Sequence, residues 1–212
     1  MVLILLSVLV VLSAGITILA QYRESARLEY VFKPLTTVLI IVVALVSGEG
    51  FFTSRYQTFI LLGLAASLAG DVFLMFPARF TPGLAAFLTA HLFYIAAFTV
   101  AGTGRASLWY AIPFVAYGAL ILWRLWPSLG AMKIPVLAYV GVILIMAWQA
   151  ANRWLETRDA AGALALFGAY LFVASDSVLA VNRFRGPVKR APFWVLSTYF
   201  AAQLLIALSV SI

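Results

Sequence analysis

Residues 57–76 read QTFILLGLAASLAGDVFLMF, twenty residues with a single charge, Asp71, close to the end. A helix crossing a bilayer needs roughly 20 mostly apolar residues, so this stretch has the length and the composition of a span. A soluble core helix of that length would carry a polar face, and none is present here. Working outward, seven more apolar runs have the same character: 2–20, 34–47 (with a start as early as Tyr30), 82–101, 108–123, 135–150, 161–181 and 192–211. The run at 34–47 is short, and Phe51 and Phe52 are expected to cap it at the interface. The run at 2–20 lacks a basic leader and is too long for the core of a signal peptide, so it is read as a helix. The expectation is an all-α, polytopic membrane helical bundle of eight transmembrane helices, forming one transmembrane domain over 1–212.

The whole composition agrees. Of 212 residues, 65% are hydrophobic and 10% are charged, against about half and a quarter in soluble domains. That excludes an ordinary soluble domain, a disordered chain and a nucleic-acid-binding domain. No loop is long enough to fold outside the membrane, so any chemistry sits in the bundle or at its surface. With no cysteine and one histidine, His91, thiol nucleophiles, iron–sulfur clusters and sites needing two imidazoles are excluded. The net charge of +7 divides by loop. Arg23, Arg27, Lys33, Arg79, Arg124, Lys133, Arg183, Arg185, Lys189 and Arg190 follow the odd-numbered helices, and Arg55, Arg105, Arg153 and Arg158 follow the even-numbered ones. The positive-inside bias then places the richer set in the cytoplasm and both termini outside.

The two halves of the chain echo each other at an offset near 100 residues. Lys33-Pro34 matches Lys133-Ile134-Pro135. Gly70-Asp71-Val72-Phe73-Leu74, followed by Arg79-Phe80, matches Ser175-Asp176-Ser177-Val178-Leu179, followed by Arg183-Phe184. This reads as a 4+4 parallel internal repeat with half-repeats of about 1–104 and 105–212, and such repeats place their site at the interface between halves.

Ionisable groups inside a span are costly, and each marks a functional site by default. Three stand out: Asp71, His91 and Asp176. The predicted orientations bring both aspartates to the cytoplasmic side at matching depth, roughly 7–8 Å from the helix ends at about 1.5 Å per residue. His91 falls half-way along helix 4. Tyr199 and Gln203 share a face of helix 8, because i and i+4 align. Lys33, Asn182 and Arg183 lie at the same end, with Tyr94 and Tyr139 as lining candidates. The opposite end, with Glu49 and Gln149 near its rim, is expected to hold no comparable polar group. Two carboxylates in one low-dielectric site do not both ionise readily, so one can act as an acid while its partner carries the charge. The simpler alternative is structural: each aspartate pairs with Arg79, Arg183 or Lys33, His91 links two helices, and Tyr199 and Gln203 act as interhelical glue. Gly63, Ala66, Ser67 and Gly70 are expected to permit close packing. A metal site of Asp71, His91 and Asp176 would offer one nitrogen donor, fewer than catalytic zinc usually takes. No cofactor or metal is therefore expected, and the sequence carries no signal for an oligomeric state.

Gly70-Asp71, the run Ala86-Phe87-Leu88-Thr89-Ala90-His91-Leu92-Phe93-Tyr94, Ser175-Asp176, and Ser197-Thr198-Tyr199-Phe200-Ala201-Ala202-Gln203 resemble the YhhN-like lysoplasmalogenase family of integral membrane proteins. Lys33-Pro34-Leu35 fits the same pattern. The resemblance implies hydrolysis of the vinyl ether bond of a lysoplasmalogen, with a lysophospholipid in the bilayer as substrate. The products would be a fatty aldehyde and a glycerophospho-ethanolamine or -choline. It carries the catalytic role onto Asp71 and Asp176, leaving open which is the acid. His91, Tyr199 and Gln203 would orient them, Lys33 and Arg183 would hold the lipid phosphate, and Tyr94 and Asn182 are further residues expected to bind or orient the substrate. The expected location is a bacterial inner membrane, with the site toward the cytoplasmic leaflet. The rival from the residues alone is a small proton-coupled transporter with two buried aspartates, and a third reading is an assembly subunit with structural ion pairs.

Overall fold

The computed structural model describes residues 1–48, 52, 54–102 and 108–210. Glu49, Phe51 and Arg105, to which the sequence assigned a rim, a cap and a loop charge, lie outside the described residues. Eight helices long and apolar enough to cross a membrane are present among the described residues, and no strand is. Their α-helical parts are α1 Val2–Tyr22, α2 Ala26–Ser47, α3 Arg55–Leu74, α4 Phe80–Val100, α5 Ile112–Leu125, α6 Lys133–Thr157, α7 Ala160–Phe184 and α8 Ala191–Leu208, and short 3₁₀ turns extend the fourth, fifth and sixth spans to Pro77–Val100, Leu108–Ser128 and Gly130–Thr157. Every expected span is matched, and the chain is an integral membrane protein.

Three boundaries differ from the apolar runs, each for a physical reason. Helix α2 has 22 residues and starts well before the run at 34, so it is not the short helix expected. Its first turns carry Arg27, Glu29 and Lys33, which lower the local hydropathy without breaking the helix. Pro34 stands inside it. Proline removes one backbone donor, which membrane helices tolerate where neighbours compensate. Phe52 does not pack as a cap and is exposed, with a positive φ of 56°. Helix α6 continues to Thr157, so Arg153, expected in a loop, is a buried helical residue. Helix α7 continues to Phe184, so Asp176 lies about two turns from its end while Asp71 sits in the last turn of α3. The two aspartates are therefore not at matching distances from their helix ends.

Six helices form a closed ring in the order α2, α3, α4, α6, α7, α8, each packed on the next and α8 returning to α2. Helix α1 lies outside against α2 and α8, and α5 lies outside against α6 and α7. The antiparallel pairs α3–α4 and α7–α8 have the closest packing, and glycines permit it. A Cβ on Gly63 would come within 2.3 Å of the Tyr94 ring, and one on Gly70 within 2.6 Å of the Phe87 ring. In α7, a Cβ on Gly168 would stand 2.9 Å from the Ala202 carbonyl of α8. The ring encloses Ile40, Ile60, Leu64, Phe98, Met146 and Phe172, all essentially inaccessible. The outward faces of α1 and α5 remain apolar and exposed, as lipid-facing surfaces should be.

Candidate active site

Asp71 projects from the last turn of α3 and is 1% exposed. Its Oδ2 accepts hydrogen bonds from the Thr37 hydroxyl at 2.6 Å and the Tyr199 phenol at 2.7 Å. Its Oδ1 faces the Lys33 ammonium at 3.7 Å. Lys33 and Thr37 are four residues apart on α2 and so present one face to Asp71. Buried charge is stable only when paired and hydrogen-bonded, and all three partners are donors directed at this carboxylate.

Behind Tyr199 the donors continue. The Gln203 amide donates to the Tyr199 oxygen at 3.3 Å, and the Tyr94 phenol donates to Gln203 Oε1 at 2.7 Å. Tyr94, Gln203, Tyr199 and Asp71 thus form one chain across α4, α8 and α3. Each link fixes the orientation of the next, because each group is buried and has few other partners. Phe87 and Phe172 hold Tyr199 edge-on, with ring centroids at 5.6 and 5.5 Å.

Asp176 projects from α7 and is only partly buried. The Tyr139 phenol of α6 donates to its Oδ2. One step before it, the Ser175 hydroxyl donates to the Val195 carbonyl of α8 at 3.0 Å, which ties the two helices together beside the carboxylate.

Both aspartates open onto one cleft of about 220 Å³ at this end of the ring. Lys33, Asn182 and Tyr199 also line it, and so do Gln21 and Glu29, which the sequence reading did not single out. A second, smaller cavity of about 60 Å³ runs among α4, α5, α6 and α7 and is predominantly apolar, walled by residues such as Leu84, Ile121, Val136 and Ile143. Four residues line both: Leu74, Phe87, Asp176 and Leu179. The polar cleft and the apolar slot therefore meet at Asp176. Sites for amphiphilic ligands combine an apolar wall with a few convergent polar groups in this way.

The other expected site residues fall into place unevenly. Tyr94 and Gln203 act from behind and do not line the cleft. Asn182 lines it, and its Oδ1 accepts from the Val188 amide at 2.9 Å, pinning the α7–α8 loop. Arg183 is exposed, with its guanidinium over the Phe80 ring at 4.8 Å, and is not part of the cleft wall. His91 is fully buried between the Phe172 and Tyr139 rings, at 4.7 and 5.2 Å between centroids. Neither of its nitrogens has a hydrogen-bond partner among the described residues, so it neither links helices by hydrogen bonding nor touches an aspartate. It bears on the site by packing, against Tyr139, the partner of Asp176, and against Phe172, which backs Tyr199. Among the described residues no three His, Asp or Glu side chains are grouped to hold a metal.

Of Thr37, Gln21 and Glu29, none of which the sequence marks as a site residue, Glu29 precedes the apolar run at 34–47, Gln21 follows the run at 2–20, and Thr37 lies within a run with nothing in the pattern to set it apart. Helical spacing from Lys33 is the signal that finds two of them, Glu29 at i−4 and Thr37 at i+4. The opposite end of the bundle also holds polar groups that were not expected. Arg153 donates to the Tyr56 hydroxyl and stacks its guanidinium over that ring at 4.1 Å, and Tyr56 and Ser209 share a hydrogen bond of 2.6 Å. This cluster ties α3, α6 and the end of α8 together.

Comparison with known proteins bears on the whole chain. The model of the YhhN family matches residues 28–210. A human protein named lysoplasmalogenase TMEM86B is 39% identical over 164 residues, which covers 77% of this chain and 66% of that protein. Human lysoplasmalogenase TMEM86A is 36% identical over 176 residues, covering 78% of this chain and 70% of that protein. The Escherichia coli O157:H7 membrane protein YhhN is 31% identical over 203 residues, covering 94% of this chain and 95% of that protein. No solved structure matches the chain.

Proposed function

The chain belongs to the YhhN family, and on that premise we propose that it is a membrane-embedded lysoplasmalogenase. It hydrolyses the vinyl ether bond of a lysoplasmalogen to a fatty aldehyde and a glycerophospho-ethanolamine or -choline. The observation that carries this reading is the meeting of polar cleft and apolar slot at Asp176, with Asp71 in the same cleft. A lysoplasmalogen has the same division, with an alkyl chain joined to a phosphoglycerol through the vinyl ether. The alkyl chain enters the bundle at the slot, the headgroup lies in the cleft, and the reacting bond falls at the junction.

The chemistry requires a proton donor, a negative charge beside the developing cation, and a water. Asp176 is the donor, since it stands at the junction and carries only the Tyr139 phenol on its Oδ2. It protonates the vinyl carbon remote from the ether oxygen, which leaves an oxocarbenium ion. Asp71, held by Lys33, Thr37 and Tyr199, is the better-supported anion and stabilises that ion. Water adds to the carbon bonded to the ether oxygen and passes its proton to Asp71. The hemiacetal then opens: its hydroxyl proton returns to Asp176, the glycerol oxygen leaves with the proton from Asp71, and both carboxyls are restored. Placed proton transfer contributes about 10²–10⁴-fold, and charge stabilisation in a water-poor site adds to it.

The test is direct. The purified protein is supplied with lysoplasmenylethanolamine, and aldehyde is measured. Stoichiometric aldehyde and glycerophosphoethanolamine are expected, and their absence from wild type overturns the reading.

A further inference from the structure

Helix α2 presents Glu29, Lys33 and Thr37 at i, i+4 and i+8, and therefore on one face. Thr37 and Lys33 both engage Asp71. Glu29 lies one turn further out, in the first turn of the helix, and lines the same cleft. The Gln21 amide of α1 donates to Glu29 Oε1 at 2.6 Å and holds the carboxylate in place. Among the described residues no cation lies within ion-pair distance of Glu29, and the Lys33 ammonium one turn further in faces Asp71. The cleft is lined by three carboxylates, Glu29, Asp71 and Asp176, and by one cationic side chain, Lys33. From the end of the bundle inward the order of charge is negative, positive, negative.

We propose that Glu29, positioned by Gln21, binds the terminal ammonium of a zwitterionic lysophospholipid headgroup, and so selects ammonium-bearing headgroups over phosphoglycerol or a bare phosphate. This rests on the reading of the cleft as the lysoplasmalogen site and assigns its headgroup end. The substrate presents, in order, ammonium, phosphate, glycerol and vinyl ether. Against the cleft these meet Glu29, Lys33 and then the two aspartates. Side chains at i and i+4 are about 5–6 Å apart at Cβ, and the P–O–C–C–N link of phosphoethanolamine spans about 4–5 Å from phosphorus to nitrogen by ordinary bond lengths. One turn of α2 thus matches the distance from phosphate to amine. A headgroup without the cation would set its phosphate near Lys33 while leaving Glu29 unpaired beside a second negative charge.

The experiment compares two substrates with the same vinyl ether chain, one with a phosphoethanolamine and one with a phosphoglycerol headgroup. Full-length wild type, Glu29→Gln and Glu29→Lys are assayed for aldehyde release. Wild type is expected to favour ethanolamine roughly tenfold in kcat/KM, a modest share of what one close charge pair supplies at a protein surface. Glu29→Gln should flatten that ratio, and Glu29→Lys should invert it by gaining activity on phosphoglycerol, a gain that misfolding cannot produce. No preference in wild type, or an unchanged preference in both variants, overturns the assignment. Wild type that releases aldehyde from neither substrate overturns the hydrolase reading instead. The headgroup site is then tested by binding of saturated 1-O-alkyl lysolipids with the two headgroups. The same order of preference, lost in Glu29→Gln, supports the site, and equal binding overturns it.

Discussion

Tyr199 donates its phenol proton to Oδ2 of Asp71 at 2.7 Å, and this bond joins α8 to the last turn of α3. Through Gln203 it connects the carboxylate to Tyr94 on α4, so three helices agree on where Asp71 points. The expected consequence is that Asp71 is oriented from behind as well as held from α2.

Tyr199→Phe removes that donor and leaves the Gln203 amide without an acceptor. Loss of a buried hydrogen bond with one partner left unsatisfied costs about 1–3 kcal/mol. If that cost falls on the transition state, kcat drops roughly 5- to 150-fold. Steady-state aldehyde release measures it. Tyr94→Phe, one link further back, should have the smaller effect on kcat.

Asp71→Asn and Asp176→Asn keep the size of each side chain and remove its acid–base function. Each is expected to lower kcat by about 10²–10⁴-fold, with circular dichroism and thermal midpoint in detergent little changed. The double variant should be only slightly worse than the poorer single one, because groups acting as a unit are not additive. Near-normal turnover by either single variant removes that residue from the chemistry.

Gly63→Ala sets a methyl within 2.3 Å of the Tyr94 ring, which is fully buried and cannot simply rotate away. Overpacking of this kind costs about 1–3 kcal/mol. The thermal midpoint should fall, and activity should fall with it, since a shifted Tyr94 loses Gln203. Gly15→Ala is the control, because nothing lies within 4 Å of the added carbon and no such shift is required.

Asp159 caps α7 between two spans. The Gly162 amide, donating to it at 2.6 Å, holds its carboxyl below the usual carboxylate range, and the Thr157 hydroxyl adds to this at 2.9 Å. The folded protein then keeps this group deprotonated where the unfolded chain would still take up a proton. The stabilisation is present in full above the ordinary carboxylate range and fades as pH falls through it to the lower folded value. Asp159→Ala is expected to cost about 0.5–2 kcal/mol at neutral pH, as loss of a helix cap does. The gap in thermal midpoint between wild type and variant should narrow on acidification toward pH 3. A gap that is constant or widens contradicts the capping account.

Much of this was legible before any coordinates. Eight spans followed from apolar runs alone, because lipid obliges a spanning segment to be long, apolar and internally hydrogen-bonded. Asp71 and Asp176 stood out for the same reason, as charges where charge is costly. Gly63 and Gly70 were readable as close-packing positions. The errors fell where charge interrupts the apolar pattern without interrupting the helix. The first turns of α2, the end of α6 and the end of α7 all extend past their apolar runs, which hid Glu29 and the buried Arg153 and set Asp176 further from its helix end than Asp71.

By itself the sequence determined that the chain lives in a membrane, how many helices cross it and which rare acids lie within those helices, since these depend on local composition and on the solvent. Only the tertiary structure decided which residues meet. His91 looked like a site residue and lies among aromatic rings, while Arg183 looked like a headgroup ligand and lies outside the cleft. Conversely, Tyr139 became the partner of Asp176, and Gln21 and Glu29 joined the cleft wall. Periodicity fixes which face of its own helix a residue occupies. Which neighbour that face meets depends on how six helices close into a ring, and that is set by packing between residues as far apart in sequence as Asp71 and Tyr199.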